Sequence, residues 1–83
     1  MSSESETTQP IDYHIRTALN RYLRDCEKTE ITDLYQFFLH EVERPLFECV
    51  MQHCAQNQSR AATILGISRG TLRKKLVQYQ LIQ

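Results

Sequence analysis

No aspartate or glutamate occurs between Asn57 and the C-terminus, although the chain contains ten acidic residues. Arg60, Arg69, Arg73, Lys74 and Lys75 are therefore unopposed there, while the upstream part carries every acid against five bases. A formal net charge of zero hides this segregation. Further absences narrow the class. No run of about 18 apolar residues exists, which excludes a transmembrane helix. Met1-Ser2-Ser3-Glu4-Ser5-Glu6 is polar and acidic, unlike a signal peptide, so a cytoplasmic protein is expected. No Cys-x-x-Cys pair occurs, and the three cysteines, Cys26, Cys49 and Cys54, are expected to be reduced and buried. Cys49 and His53 lie at i, i+4 with Cys54 and His40 on the same segment, but nothing completes a tetrahedral set and no metal site is expected. No Gly-rich phosphate loop follows a strand, and no nucleophile has a base and an orienting group. An enzyme is not expected, nor a cofactor. Alternation of strand type is missing throughout, leaving an all-α fold.

Within the acid-free stretch, short-range signals describe two helices joined by a tight turn. Asn57-Gln58-Ser59 offers N-cap side chains to Arg60-Ala61-Ala62-Thr63-Ile64-Leu65, where Ala62 is small enough for a second helix to cross closely. Gly66 follows at the point where positive φ is most useful, and Ile67 is expected to plug the turn. Ser68 can cap a helix running from Arg69 to Tyr79 that buries Leu72, Leu76 and Tyr79 at i, i+4, i+7. Its other face carries Arg69, Thr71, Arg73 and Lys74, donors suited to phosphates and bases. One position departs from the usual helix-turn-helix spacing. The last apolar residue is Leu76, one place late, with Lys75 where an apolar side chain is common.

Upstream, residues 1–10 are polar, end at Pro10 and read as a disordered tail. A helix is expected from Asp12, as N-cap, to about Asp25, with Ile15, Ala18, Leu19, Tyr22 and Leu23 on one side and Arg16, Arg21 and Arg24 on the other. After the polar turn Glu27-Lys28-Thr29-Glu30-Ile31, Thr32 or Asp33 can cap a longer helix from Leu34 to Cys54. Its apolar residues, among them Phe37, Phe38, Val42, Leu46, Phe47 and Val50, cover more than one stripe. A second apolar contact is implied, most simply another copy about a two-fold axis, with these six residues as the dimer core. Pro45 is expected to kink this helix without ending it, because the periodicity resumes at once. The chain thus divides into a tail (1–10), a helical dimerisation core (11–56) and a helix-turn-helix region (57–83).

The run Asn57-Gln58-Ser59-Arg60-Ala61-Ala62, the turn Leu65-Gly66-Ile67 and the run from Ser68 to Leu76 resemble the Fis family of bacterial nucleoid proteins. The resemblance extends through Asp33-Leu34-Tyr35, Glu41-Val42-Glu43 and Pro45-Leu46, from about Pro10 to Tyr79. The C-terminal run is also similar to the DNA-binding ends of nitrogen-regulatory enhancer-binding activators. Resemblance to the Fis family implies a homodimer of four helices per chain, the first two intertwined and the last two forming the helix-turn-helix. It implies binding and bending of double-stranded DNA in the nucleoid with weak sequence preference, in transcription control and chromosome organisation. By position, Arg69 corresponds to the family's guanine-reading arginine and Lys74 to a lysine near bases and backbone. Asn57, Ser59, Arg60, Thr71 and Arg73 correspond to phosphate-gripping residues, and Ser68 and Lys75 complete the candidate DNA-binding set. Ser68 stands where the family commonly has asparagine, and Val77 and Gln78 where relatives have lysines that reach flanking DNA. Ser2 to Gln9 lack the apolar alternation of a β-hairpin arm, so recombinase contact is not carried over. The alternative of another class is a helical adaptor that binds a protein through its basic face.

Overall fold

The computed structural model describes residues 9–26 and 30–82, so residues 1–8 of the expected tail and the start of the polar turn fall outside the described residues. Four helices follow in chain order: α1 (Ile11–Asp25), α2 (Leu34–His53), α3 (Gln58–Leu65) and α4 (Arg69–Gln78). No strand occurs among the described residues. The chain divides between Thr32 and Asp33 into two units, one containing α1 and the other α2, α3 and α4.

In α1, Pro10 rather than Asp12 precedes the first helical residue. Proline fits a helix start because its missing N–H would have had no intrahelical acceptor there. Asp12 lies in the first turn, where a negative charge suits the helix dipole, and pairs with Arg16 at 3.4 Å. No residue of α1 is buried, and Ile11 and Tyr13 are exposed.

α2 runs unbroken across Pro45. Asp33 is its cap residue in left-handed conformation (φ 58°), and its carboxylate makes no capping hydrogen bond. Towards the C-terminal end Phe47, Met51 and Cys54, spaced by four and three residues, form one buried face. They meet Ala61 and Ala62 of α3 and Leu72, Leu76 and Tyr79 around α4 in a single core. Leu72, Leu76 and Ala61 have no accessible surface. Burying each leucine fully contributes about 1.5–3 kcal/mol. The two alanines bring no bulk to this core, so α4 can approach α3 closely. Phe47, expected in an intermolecular core, is instead 5% exposed within this single chain and packs beside Tyr79 with ring centroids 6.2 Å apart. The unit containing the helix-turn-helix therefore includes α2, and the expected boundary at residues 56/57 falls inside it. Of the three thiols expected to be buried, Cys54 lies in this core, Cys26 is half-buried and Cys49 is exposed.

Three helices end in the same hydrogen-bond pattern. Ile67 N–H donates to the Ala62 carbonyl (3.1 Å) and Gly66 N–H reaches Thr63 (3.2 Å), with Gly66 at φ 75°. At the end of α2, Gln56 N–H donates to Met51 (2.8 Å) and Ala55 N–H to Gln52 (3.1 Å), with Ala55 at φ 52°. At the end of α4, Leu81 N–H donates to Leu76 (2.8 Å) and Gln80 N–H to Val77 (3.0 Å), with Gln80 at φ 60°. These are Schellman closures, in which a left-handed residue lets the chain satisfy the last carbonyls while an apolar residue folds back on the helix. Ile67 and Leu81 take that role and pack on the core.

A Cβ added at Gly66 would meet nothing within 4 Å, so glycine is required by its backbone conformation and not by crowding. Gly66→Ala should accordingly lower unfolding free energy by about 1–2 kcal/mol, the cost of a left-handed L-residue, without altering the core. Urea denaturation with an unchanged m-value would record it.

Candidate nucleic-acid interface

The exposed side of the α3–α4 pair is built by its caps. Asn57 Oδ1 accepts from Arg60 N–H at 3.1 Å and so starts α3. Ser59, Arg60, Thr63 and Ile64 line the solvent side of this helix. Ser68 Oγ accepts from Thr71 N–H at 3.1 Å, starting α4, and donates its own hydrogen to Thr71 Oγ1 at 3.0 Å. The Ser68 hydroxyl is thus engaged within the cap, and its donor is directed at Thr71. Ser68, Arg69, Thr71, Arg73 and Lys74 are all exposed, as are Asn57, Ser59 and Arg60. The structure therefore brings eight of the nine candidate residues onto solvent-facing positions of one helix pair. Gly70 lies among them, and a Cβ there would approach only Ser68 Oγ, at 4.0 Å. The fold does not demand glycine at this position, and its absence of side chain leaves α4 bare beside Arg69 and Arg73.

Lys75 is different. It lies on the flank of the buried stripe, and its Nζ meets Glu43 Oε1 of α2 at 3.1 Å. The same carboxylate oxygen accepts the Tyr79 hydroxyl at 2.6 Å. The neighbouring Arg44 donates from Nη1 to the Tyr79 carbonyl at 2.9 Å and places its guanidinium 5.4 Å from the Tyr79 ring centroid. His40 packs edge-on against that ring, and its Nε2 lies 3.4 Å from Gln78 Nε2. A cation over the C-terminal carbonyls also suits the α4 dipole. The C-terminal half of α4 is thus fastened to α2 by polar contacts, while the N-terminal half presents basic side chains outward.

Sequence reading had missed Glu43, Arg44 and His40 as parts of this arrangement. For His40 and Glu43 the signal is positional, since His40, Glu43, Phe47, Met51 and Cys54 follow one another at three- and four-residue steps along α2; Arg44 lies outside that series. Only the apolar members stood out. Of the expected dimer residues, Phe47 joins the intramolecular core, Phe38, Val42 and Val50 are half-buried, and Phe37 and Leu46 are exposed in this chain.

The fold and its exposed basic face define a helix-turn-helix protein. The model of the family described as "Bacterial regulatory protein, Fis family" matches residues 38–79. A "Putative Fis-like DNA-binding protein" of Xylella fastidiosa (strain 9a5c) is 48% identical over 80 residues, covering 96% of this chain and 89% of the relative. The "DNA-binding protein Fis" of Glaesserella parasuis serovar 5 is 46% identical over 74 residues, covering 89% and 76% respectively. That of Vibrio cholerae serotype O1 (strain ATCC 39541) is 45% identical over 78 residues, covering 94% and 80%. The chain belongs to the Fis family of bacterial regulatory proteins.

The network has a pH dependence of known sign. Donation by the Tyr79 hydroxyl, and the pairing with Lys75, hold the Glu43 carboxyl below its ordinary value of 4.5 against the opposing effect of burial. Burial and the bond to Glu43 push the Tyr79 phenol up from 10.0 to about 12. A lowered acid stabilises the fold fully above its unfolded pKa and loses that contribution as pH falls through the folded value. A raised phenol contributes fully below pH 10.0, and its contribution is lost as pH rises towards about 12. Denaturation midpoints should decline at both extremes, with Tyr79→Phe making the alkaline decline shallower and Glu43→Gln the acid one.

Proposed function

We propose that this protein is a DNA-binding and DNA-bending homodimer that acts in transcription control and chromosome organisation in the nucleoid. The observation that carries the reading is the acid-free, exposed face of α3 and the first turns of α4, set on a helix whose other face is immobilised in a core. A helix presented in this way can enter a major groove with its N-terminal residues against base edges. In this reading Arg69 reads guanine through its paired N–H groups, and Lys74 reaches bases and backbone. Asn57, Ser59, Arg60, Thr71 and Arg73 hold phosphates, helped at α3 by the positive end of the helix dipole. Ser68 serves as the cap. The bare surface at Gly70 favours close approach of the duplex. The names of the relatives, DNA-binding proteins all, support the partner.

Support for the homodimer comes from apolar surface that one chain leaves uncovered. Tyr35 is 73% exposed and Leu46 44%, and no residue of α1 is fully buried although its apolar residues recur at helical spacing. A second copy packed about a two-fold axis would cover this exposed apolar surface.

Binding should fall steeply with salt, each neutralised phosphate contributing about −0.9 to the log–log slope. Arg69→Ala should cost about 1–3 kcal/mol at a symmetric guanine in each half-site and far less on random duplex. Gel shifts on both substrates at two salt concentrations test this. A slope near zero would favour an adaptor that binds protein, and equal losses on both substrates would reduce Arg69 to a phosphate contact.

Only residues 54–57 separate α2 from α3, which keeps each helix-turn-helix close to the long helix. Two copies joined through α2 then hold their α4 helices nearer than the one-turn spacing of about 34 Å that straight DNA requires. The duplex must narrow its central minor groove and curve, at a cost of about 1–6 kcal/mol that varies with sequence. Competition between A/T-rich and G/C-rich centres with identical half-sites should favour the former, and circular-permutation gel shifts should show a bend. An unbent complex would refute the geometry.

A further inference from the structure

The basic tract Arg73-Lys74-Lys75 reads as three equivalent positive charges, but the fold treats its last member differently. Lys75 is the only one of the three that is half-buried, and it occupies the inward-flanking position where a helix-turn-helix commonly carries an apolar residue. Its ammonium is met by a carboxylate 3.1 Å away, on another helix and 32 positions earlier in the chain. The side chains of Lys75 and Glu43 retain 31% and 19% of their accessible surface. A pair this shielded is screened less by salt than an exposed one. Glu43 is further fixed by the 2.6 Å bond from Tyr79, one helical turn beyond Lys75. One carboxylate oxygen therefore holds two points of α4 a turn apart. With the buried stripe of Leu72 and Leu76, these bonds restrain the rotation of α4 about its own axis relative to α2, and with it the direction in which Arg69 and Arg73 point.

We propose that Glu43 is a positioning residue for DNA recognition: it withholds Lys75 from the duplex as an internal substitute for phosphate and thereby fixes the angle at which α4 presents Arg69. The proposal rests on the DNA-binding reading above. The bond from Tyr79 and the pairing with Lys75 hold the Glu43 carboxyl below its ordinary value, in keeping with a carboxylate that is ionised at neutral pH. Removal of that charge has two opposite consequences. Freed Lys75 can reach a phosphate, which raises affinity for any duplex. Loosened α4 no longer aims Arg69 reproducibly, which lowers preference for the guanine-bearing half-site. A residue that merely stabilised the fold would lower both together.

The experiment measures log–log salt slopes and the ratio of specific to random binding for the full chain on two duplexes, one with symmetric guanines and one random. Arg73→Ala should make the slope shallower by about 0.9 per protomer, whereas Lys75→Met should leave it at the wild-type value. Glu43→Gln should strengthen binding to random duplex, steepen the slope by up to about 0.9 per protomer and narrow the specific-to-random ratio. The double variant Glu43→Gln/Lys75→Met should return the slope to wild type. The proposal is overturned if Lys75→Met flattens the slope as Arg73→Ala does, or if Glu43→Gln weakens both duplexes by one factor at unchanged slope. Should Glu43→Gln not fold, as circular dichroism would show, the slope of Lys75→Met decides alone. A flat slope for the wild type itself would overturn the DNA-binding reading and the proposal with it.

Discussion

The packing of Leu72, Leu76 and Tyr79 against Phe47, Met51 and Cys54, with Ala61 and Ala62 filling the near side, holds the second unit together. α3 spans eight residues and α4 ten, too short to persist alone in water. Their helicity depends on this shared core and on the caps from Asn57 and Ser68. Because the core uses the C-terminal part of α2, the helix-turn-helix is not an appendage. It is continuous with the long helix, so whatever α2 joins is mechanically coupled to the basic face.

A helix with one buried stripe and one exposed face must still be held at a particular rotation, and apolar packing alone is non-directional. The polar contacts at the far end of α4 supply direction. Glu43 accepts from Lys75 and Tyr79, and Arg44 donates to the carbonyl that ends the helix. These bonds lie at the edge of the core, partly shielded from solvent, where charge-assisted hydrogen bonds are stronger than on an open surface. The result is a division along α4: its last turns are fastened to α2 by polar contacts, and its first turns bury Leu72 while their outer side stays exposed.

Helical spacing made the buried stripe of α4 legible, and Gly66 marked its turn because a left-handed residue between two helices favours glycine. The other two Schellman closures could not be read, since alanine and glutamine occupy the left-handed positions at Ala55 and Gln80. There the tertiary packing that Leu81 gains, and the short link from α2 to α3, outweigh the local preference. Asp12 and Pro10 show the converse error: a carboxylate near a helix start suggests a cap, whereas it lies within the first turn and pairs with Arg16. Phe47 looked like its neighbours Phe37 and Phe38 because composition does not say which stripe of a doubly apolar helix meets which partner.

The sequence alone determined the all-α class, the positions of α3 and α4, the acid-free basic segment and the family resemblance, because these depend on local spacing, caps and unopposed charge. Only the tertiary structure decided that Phe47 belongs to the core of its own chain and that Lys75 is matched by Glu43. Both depend on which face of α2 meets α4. Contacts between residues 32 or more positions apart are set by how helices pack: the helical spacing of His40, Glu43 and Phe47 marks a shared stripe of α2 but does not say which helix meets it.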